Sequence, residues 1–554
     1  MRTREGLVRY APERARRYRD LGYWGTETIP TALGRVARAN ADRVAVVTPD
    51  RRVTYGDLDT TTDRLAAGLL DLGLEPQDAV TLQLANTAET VEAWYALLKA
   101  GLVPVCTLAQ HRHHEIDEIA RLTGARAHIV QGDLPGFDAA TFARELTERV
   151  PTVRCQLSTR GPVEGLIALE SLGAHIDAEA ARRRVAEIQA AIDADDVAAF
   201  QLSGGTTARP KVIPRLHAEY LYNVRARIER WAVTPDDVLG YVLPLVHNAG
   251  IQISLHVAHL LGARLVLSDA DPDTFLPLFV REGVTRTLLP SGVAATLVDH
   301  PSFDEMVEGL RCLGLTLGKV PPSLFDRVTA LGTTVIQEFG MGEGMIMTHA
   351  LDDPETARRE TVGSPISPAD EVRLLDPDGN KVPFGEPGEL NVRGPYTICG
   401  YLNEPERNTE VFSSDCFYAT GDVMVAQVIE QRVFYRLEGR TKDLINRGGE
   451  KVNAAEVEAL LVEHPAIVEA AVVAMPDVRL GERACAFIAT DRDPPTLAEI
   501  RDHLATLEVA KYKWPERIEV IDELPRTAVG KVAKNVLRDT VRELIEAEPT
   551  PAEG

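Results

Sequence analysis

The segment from Phe200 to Arg215 reads FQLSGGTTARPKVIPR, and it continues an apolar run, VAAFQL, into a loop of glycines and hydroxyls that ends in Lys211. Glycines let backbone N–H groups converge on an anion, hydroxyls add donors, and a lysine adds positive charge. The segment therefore predicts a strand followed by a phosphate-binding loop, with a plain surface hairpin as the alternative. It is not the nucleotide loop G-x-x-x-x-G-K-[ST], because Val212 follows Lys211.

The composition is that of a globular protein with an acidic surface. The chain has 554 residues, of which 45% are hydrophobic and 26% charged, and its formal net charge is −23. The length favours two or more domains. The negative charge disfavours nonspecific nucleic-acid binding, which needs a basic footprint. We expect a cytoplasmic protein without a membrane span, because no apolar run approaches ~20 residues and the N-terminus lacks the apolar core of a signal peptide.

The cysteines and histidines give no clear metal pattern. None of the six cysteines stands at C-x-x-C spacing, which favours reduced, partly buried thiols over a zinc site or a redox pair. The cluster HRHHE, from His111 to Glu115, could hold a metal, but no second cluster faces it in the sequence. A solvated loop or the start of a helix is therefore the favoured interpretation.

The order of patterns along the chain predicts two domains. Strand-like runs alternate with helical patterns through most of the chain, which predicts largely parallel sheets covered by helices. From about Ser364, period-two runs around DPDG and GEPG predict antiparallel hairpins in a small barrel-like part. The last hundred residues read as a small α+β domain. The predicted boundaries are 1–441 for the large α/β domain, 442–545 for the small mobile domain and 546–554 for a disordered tail.

Three further segments carry residues suited to nucleotide chemistry. FGMGEG places Glu343 between glycines after an apolar run, as suits a Mg²⁺ ligand. YATGDV places Asp422 after a glycine, where its carboxylate can accept from both hydroxyls of a ribose. PRTAVGK places Lys531 on a glycine-containing loop. Each is compatible with an ordinary turn or a solvated side chain, and only their order and spacing together favour a shared site.

These motifs fall where the core motifs of the adenylate-forming superfamily fall, together with VTYGDL, LKAGLVPV and GRTKD. The chain resembles that superfamily from about residue 25 to residue 540. Within it, YRDLGYW, PLVHN, RGPYTICGYL and INRGGEKV are similar to stand-alone aryl acid–AMP ligases, such as those for 2,3-dihydroxybenzoate and salicylate.

The resemblance implies that ATP, with Mg²⁺, activates an aromatic carboxylic acid to an acyl-adenylate and releases pyrophosphate. The acyl group is then transferred to the phosphopantetheine thiol of a separate carrier protein. Neither a nucleic acid nor a membrane is implied as a partner. The alternatives are an aryl-CoA ligase on the same fold and a degenerate relative that binds nucleotide without catalysis.

The resemblance also implies residue roles. Lys531, Glu343 and His247 are the implied catalytic residues, with Lys531 on the substrate carboxylate and α-phosphate and Glu343 on Mg²⁺. Lys442 matches the hinge about which the small domain swings. Gly448 and Gly449 match the pantetheine channel. The residues implied to bind ATP are Ser203, Gly204, Gly205, Thr206, Thr207, Lys211, Gly318, Glu338, Phe339, Gly340, Met341, Asp422 and Arg440.

The acid pocket departs from the best-known relatives, which bears on the substrate. Asn248 matches an asparagine whose amide meets an ortho hydroxyl, but Ile253 cannot accept a 3-hydroxyl, which disfavours 2,3-dihydroxybenzoate. Ala249, where tyrosine is frequent, frees volume. We expect the substrate to be salicylate, 3-hydroxypicolinate or a bicyclic relative. The alternative is that these substitutions change only the packing and the specificity of the relatives is retained. The residues implied to bind the acid are His247, Asn248, Ala249, Ile253, Gly318, Gly342 and Ile346.

Four other positions depart from the pattern of the superfamily. Ala208 replaces a glycine of the phosphate loop, and Thr316 and Leu317 stand in LTLGKVP, which replaces the usual Gly-Gly-Ala. Gly342 replaces the usual Ala, Thr or Ser before Glu343. These changes predict a reshaped pocket, weak activity, or both.

Overall fold

The computed structural model describes residues 4–203, 210–318, 320–447, 450–477, 480–507, 509–527 and 530–547. The chain divides into two compact units. The first comprises Met1–Glu371 and Val392–Tyr418, and the second comprises Val372–Asn391 and Ala419–Gly554. The boundaries expected at residues 441 and 545 stay predictions.

The first unit contains a seven-stranded sheet that leads into the glycine-rich loop. All neighbouring strands are parallel except the last pair, Val197–Leu202 and Val212–Leu216, which bracket the loop. Both strands of this pair are buried almost throughout, so the loop joins two core strands rather than forming a surface hairpin. In spatial order the strands are Ile167–Ala168, Cys155–Thr159, Ala127–Gln131, Ala79–Gln83, Val103–Val105, Val197–Leu202 and Val212–Leu216.

A nine-stranded sheet forms the second layer of the first unit. Its six central strands are parallel, and an antiparallel strand or pair closes each edge. In spatial order the strands are Ser364–Pro365, Ile346–Thr348, Thr334–Gly340, Cys312–Thr316, Arg286–Pro290, Val238–Tyr241, Arg264–Leu267, Val44–Val47 and Arg52–Thr54.

The helices of the first unit connect and cover these strands. The hydroxyl of Thr54 caps the helix that follows it by accepting from the backbone N–H of Asp57 at 3.1 Å. A 3₁₀ turn, Leu169–Ser171, and a π-helix, Gly250–Leu255, interrupt the series. The α-helices are Pro12–Asp20, Ile29–Ala39, Tyr55–Asp71, Ala88–Lys99, His113–Thr123, Ala139–Arg149, Ala178–Gln189, His217–Arg230, His256–Leu261, Pro272–Glu282, Ser291–Thr296, Phe303–Gly309, Pro322–Ala330, Glu355–Glu360 and Pro405–Val411.

A four-stranded sheet follows, in the part of the chain where hairpins are predicted. Its last two strands pair antiparallel, with Asp422 opposite Arg440. The strands, in spatial order, are Glu371–Leu375, Pro387–Arg393, Tyr418–Ile429 and Arg432–Arg440.

The C-terminal part is the predicted α+β arrangement. A 3₁₀ turn, Thr441–Asp443, leads into a five-stranded sheet, and a second, Lys511–Lys513, precedes its last strand. The strands are Glu450–Asn453, Leu444–Arg447, Gly481–Ala489, Glu469–Asp477 and Arg517–Val520. The helices are Ala454–Val462, Leu497–Thr506 and Lys534–Ala547. The last helix reaches two residues into the predicted tail, and 548–554 lie outside the described residues.

This architecture confirms the predicted fold class of a large domain of helix-covered parallel sheets and a smaller C-terminal domain. All six cysteines are free thiols. A helix begins at His113, as expected for HRHHE, and the described residues contain no group of three or more side chains suited to a metal ion. None of their helices has both the length and the apolar character that a membrane crossing requires.

Candidate active site

The two ends of the glycine-rich loop lie side by side. The backbone N–H of Ser203 donates to the carbonyl of Lys211 at 3.1 Å, which extends the strand pair by one step. The ammonium of Lys211 lies 5.3 Å from the centre of the Tyr401 ring. The predicted phosphate ligands Gly204, Gly205, Thr206 and Thr207, and the departure Ala208, fall in 204–209, outside the described residues.

Glu343 is buried beside two tyrosines that the sequence analysis did not single out. The hydroxyl of Tyr401 donates to Oε1 of Glu343 at 2.5 Å, and the hydroxyl of Tyr418 donates to the same oxygen at 3.3 Å. The two phenolic oxygens are 2.9 Å apart. Burial, reinforced by the Glu343 carboxylate, raises the pKa of Tyr401, so this phenol keeps its proton and stays a donor.

This arrangement fits a magnesium ligand. Oε1 of Glu343 is occupied by the two tyrosines, which fixes the plane of the carboxylate and leaves Oε2 for another partner. A carboxylate oxygen is the donor that Mg²⁺ prefers, and this ion takes one or two carboxylates together with phosphate oxygens. Both tyrosines lie in motifs quoted above, RGPYTICGYL and YATGDV, but only the fold shows that they meet Glu343.

Asn248 is held in a fixed orientation at the start of a helix. Its Oδ1 accepts from the hydroxyl of Tyr220 at 2.7 Å and from Nη1 of Arg215 at 3.3 Å. A guanidinium only donates, so the atom facing Arg215 must be the amide oxygen. The NH₂ group of Asn248 is therefore the end that can donate to a ligand.

Arg215 is itself locked by a buried carboxylate. Its Nε and Nη2 donate to the two oxygens of Glu219, each at 2.8 Å, and both side chains are fully buried. Nη1 also donates to the carbonyl of Gly342 at 2.9 Å. One arginine thus ties the predicted acid-binding residues Asn248 and Gly342 together, a link that requires the fold to be seen.

The structure shows the surroundings of Gly342 and a strained backbone at Leu317, two of the sequence departures. A Cβ at Gly342 would meet Cδ1 of Ile213 at 2.8 Å, so a larger residue here would require the end of the Ile213 side chain to shift. Leu317 adopts φ +65°, in the left-handed region where glycine is favoured, which costs about 1–2 kcal/mol. Thr316 donates its hydroxyl to the carbonyl of Glu338 at 3.1 Å. For Gly318, an added Cβ would lie 2.8 Å from the Ser291 hydroxyl.

The other predicted acid-binding residues also belong to the first unit. His247 directly precedes Asn248, and its Nδ1 accepts from the backbone of Ala249 at 3.4 Å. Ile253 lies on the π-helix and is buried. Ile346 is buried and pairs with Gly340 on the neighbouring strand. Phe339 and Met341 flank Gly340 along the chain.

In the second unit, Asp422 and Arg440 form a cross-strand ion pair. Nε of Arg440 donates to Oδ1 of Asp422 at 3.0 Å, and Asp422 is buried. Lys531 is exposed beside a turn in which its backbone N–H donates to the Thr527 hydroxyl at 3.2 Å. Lys442 lies in the 3₁₀ turn Thr441–Asp443, while Gly448 and Gly449 lie outside the described residues.

Comparison with known proteins identifies the family. The AMP-binding enzyme family matches residues 33–402, and its C-terminal domain matches residues 456–531. The chain belongs to the AMP-binding enzyme family. The predicted membership of the adenylate-forming superfamily is confirmed.

Several relatives match over nearly their whole length. Pyochelin synthase PchD of Pseudomonas aeruginosa UCBPP-PA14 is 41% identical, and the alignment covers 96% of each chain. The 2,3-dihydroxybenzoate-AMP ligase of Bacillus subtilis is 38% identical, with 98% of this chain and 99% of the ligase covered. The apo structure of MbtA from Mycobacterium smegmatis has a TM-score of 0.71 and 36% identity, covering 96% of this chain and 98% of MbtA.

Proposed function

We propose that this adenylating enzyme uses ATP to convert an aromatic carboxylic acid with an ortho hydroxyl, or a heteroaryl equivalent, to its acyl-adenylate. The observation that carries the proposal is the fixed amide of Asn248, whose oxygen is held by Arg215 and Tyr220, so that its NH₂ group is the end that can donate to a ligand. Relatives that match over most of this chain support it, since their names specify 2,3-dihydroxybenzoate and salicylate.

The chemistry requires two anions to meet. The acid's carboxylate attacks the α-phosphorus of ATP, an acyl–phosphate bond forms, and the bond to pyrophosphate breaks. The chain's part is to neutralise and position these groups. In this proposal the loop from Ser203 to Lys211 binds the β- and γ-phosphates, and Lys531 contacts the attacking carboxylate and the α-phosphate. Mg²⁺, held by Glu343, would supply charge neutralisation at the phosphate oxygens.

The nucleoside would be held in the second unit. The carboxylate of Asp422 can accept from both ribose hydroxyls, and Arg440 holds that carboxylate from the neighbouring strand at 3.0 Å. An ionised carboxylate can only accept, which suits the two hydroxyl donors of a ribose.

The substrate proposal follows from three side chains. Asn248 provides a donor for an ortho oxygen, whereas Ile253 provides no partner for a 3-hydroxyl. Ala249 leaves room that a larger residue would fill, which suits a second ring. A bicyclic acid also agrees with one relative, the 2-hydroxy-7-methoxy-5-methyl-1-naphthoate–CoA ligase of Streptomyces carzinostaticus, which is 36% identical to this chain.

For the second half-reaction we propose transfer to the phosphopantetheine thiol of a separate carrier protein. The relatives named pyochelin synthase and enterobactin synthase component E support an assembly-line role. Free coenzyme A is the second candidate acceptor, because two relatives are named as a salicylyl-CoA synthase and a naphthoate–CoA ligase. Thioester formation on coenzyme A alone, at the rate seen with a carrier protein, would decide for the second candidate.

Acid-dependent exchange of pyrophosphate into ATP tests the first half-reaction. We expect exchange with ortho-hydroxylated monocyclic or bicyclic acids and much weaker exchange with 2,3-dihydroxybenzoate. If 2,3-dihydroxybenzoate had the highest kcat/KM, the argument from Ile253 would be wrong. Absence of exchange with every acid, from protein that binds ATP, would favour the degenerate alternative.

Lys531→Ala separates the two half-reactions. Loss of a lysine that spans two developing charges should lower the adenylation rate about 10²–10³-fold, by analogy with one oxyanion donor. Thioester formation from supplied acyl-adenylate should be retained. Equal loss of both half-reactions would contradict the role proposed for Lys531.

A further inference from the structure

Near the acid pocket, four buried polar side chains have hydrogen-bonding atoms without a partner among the described residues, and a fifth, Glu338, is paired with one of them. Both amide atoms of Asn223 and of Gln252 lack a partner among the described residues, as do Nε and Nη2 of Arg227 and the hydroxyl of Tyr241. Glu338 accepts from Nη1 of Arg227 in a buried ion pair. All five are at most 5% exposed. We call Asn223, Arg227, Tyr241, Gln252 and Glu338 the polar cluster.

Four adjoining elements bring the polar cluster together. Asn223 and Arg227 are one turn apart on the helix His217–Arg230, so they share a face. Tyr241 ends the strand Val238–Tyr241, and the charge of Glu338 acts on it, since it adds to burial in raising the pKa of this phenol. Gln252 lies on the π-helix, which packs against both that helix and that strand.

The polar cluster is continuous with the predicted acid pocket. Gln252 follows Asn248 by four residues along one helical segment, so the two lie about one turn apart. Glu338 opposes Thr348 and Gly340 opposes Ile346 on neighbouring antiparallel strands. Because side chains two apart along a strand share a face, Glu338 and the pocket residue Ile346 lie on the same side of the sheet. π-helices are frequent at functional sites.

Unpaired polar atoms are costly inside a protein. A buried donor or acceptor without a partner loses its hydration and gains nothing, and native structures contain few such groups. Seven atoms of this kind on four neighbouring side chains call for a partner from outside the chain. The Arg227–Glu338 pair is formally neutral, so the missing partner is a neutral group with hydrogen-bonding atoms rather than an ion.

We propose that the polar cluster is a subsite for an uncharged hydrogen-bonding group, such as a ring nitrogen or a second hydroxyl, on the aromatic acid. This rests on the proposed function, because the acid is the ligand. The pocket then has two sides: Ile253 and Ile346 form an apolar wall, and the polar cluster supplies donors and acceptors that an all-carbon ring would leave unpaired.

Binding of acyl-adenylate analogues with a sulfamate in place of the phosphate tests the proposal without turnover. The parent analogue carries 3-hydroxynaphthalene-2-carboxylate, which keeps the ortho hydroxyl. A series replaces one ring CH by nitrogen, or one ring hydrogen by hydroxyl, at each other position. Calorimetry should find at least one member that binds tenfold or more tightly than the parent, since a site built to hydrogen-bond discriminates strongly against analogues that lack the group.

Two variants assign that preference to the cluster. Tyr241→Phe and Gln252→Leu should each bring the affinity ratio of the preferred member to the parent toward one. Thr159→Val is the matched control, because it also removes a buried hydroxyl that no described residue pairs, on a strand outside the cluster. The control should leave the ratio unchanged, and thermal unfolding should show that all three variants are folded.

The outcomes separate the subsite from the proposed function. Tight binding of the parent with no member better than twofold would overturn the subsite and leave acid activation standing. Failure of every analogue to bind, by protein that binds ATP, would overturn both. If a variant does not fold, the affinities of the analogue series for the wild-type chain are enough to decide between these outcomes.

Discussion

Two buried polar regions of the first unit differ in how far their hydrogen-bonding atoms are paired within the chain. Around Glu343, two phenols and a carboxylate satisfy one another, with every distance between their oxygens at or below 3.3 Å. In the polar cluster, by contrast, Asn223 and Gln252 have no partner within the described residues for any amide atom. The first region is held in place by its own hydrogen bonds and leaves Oε2 of Glu343 for a ligand, whereas the second has atoms that no described residue pairs.

The difference matches the proposed ligands. ATP and its metal are the same for every adenylating enzyme, so the groups that bind them can be fixed in advance by hydrogen bonds within the chain. The acid differs between relatives, and specificity for one acid is achieved by groups that are paired only when that acid is bound. Unpaired atoms in the polar cluster are thus the stability cost of selectivity.

The largest effect is expected from breaking the buried ion pair of the polar cluster. Arg227→Met leaves Glu338 buried and uncompensated, which should lower the free energy of unfolding by about 3–5 kcal/mol in a urea titration. The double variant Arg227→Met, Glu338→Met should recover most of this loss. Arg327→Met, which breaks an exposed pair with Asp304, is the control and should cost less than about 1 kcal/mol. A similar small cost for Arg227→Met would mean that the cluster is hydrated.

Glu343→Gln tests whether the carboxylate held by the two tyrosines acts as a metal ligand. The substitution keeps the shape and a hydrogen-bond acceptor but removes the charge, so pyrophosphate exchange at fixed Mg²⁺ should fall about 10²–10³-fold. Glu360→Gln, at an exposed position, should leave the exchange rate as it is. Equal rates for the two variants would exclude Glu343 as a ligand of the metal.

Asp370 is intermediate between these two regions, because one of its carboxylate oxygens has a hydrogen-bond partner among the described residues and the other does not. The hydroxyl of Tyr396 donates to Oδ2, while Oδ1 is buried without a partner in the described part of the chain. Burial raises the pKa of Asp370 from 3.8 to about 7. Between these values the folded state binds more protons than the unfolded state, so this group's contribution to stability falls as pH rises, by up to about 1.4 kcal/mol per unit.

Asp370→Asn should therefore flatten the pH dependence of unfolding between pH 4 and 7 and make the protein more stable than the wild type at pH 7. Urea titrations at several pH values measure both effects. Asp304→Asn, at an exposed carboxylate, serves as the control. A wild-type stability that rises steadily through this window, unaffected by the substitution, would show that Asp370 is ionised in the folded protein.

The smallest effect is expected for Tyr401→Phe. Tyr418 can still donate to Glu343, so the loss should be about 1 kcal/mol, seen as a several-fold rise in the Mg²⁺ concentration for half-maximal exchange. The rate at saturating Mg²⁺ should change less. Tyr222→Phe, which removes a 2.7 Å hydrogen bond to Ser367, should not change the metal dependence. A lower rate at saturating Mg²⁺ with an unchanged half-maximal concentration would argue against positioning of the carboxylate by Tyr401.

The sequence is sufficient to predict what depends on local pattern. Alternating strands and helices predict the parallel sheets, and the order and spacing of the motifs predict the family and single out Glu343 between its glycines. The partners of Glu343 were missed because Tyr401 and Tyr418 are 58 and 75 residues away along the chain. No pattern in the sequence specifies which distant side chains will meet.

The polar cluster was missed for a second reason. Arg227 lies in RARIER, which reads as the charged face of an exposed helix, yet its side chain is fully buried. The resemblance implies that Glu338 binds ATP, which stays a prediction, and the structure pairs its carboxylate with Arg227. Burial of a charge depends on tertiary packing, which local sequence does not encode.

A structure of the chain bound to its preferred acyl-adenylate analogue would test most directly whether Asn248 and the polar cluster bind the acid. We predict that the NH₂ group of Asn248 lies within about 3 Å of the ortho oxygen and that Gln252 or Arg227 donates to a heteroatom of the ring system. An acid bound elsewhere, or one that leaves the polar cluster unpaired or filled by water, would contradict this assignment.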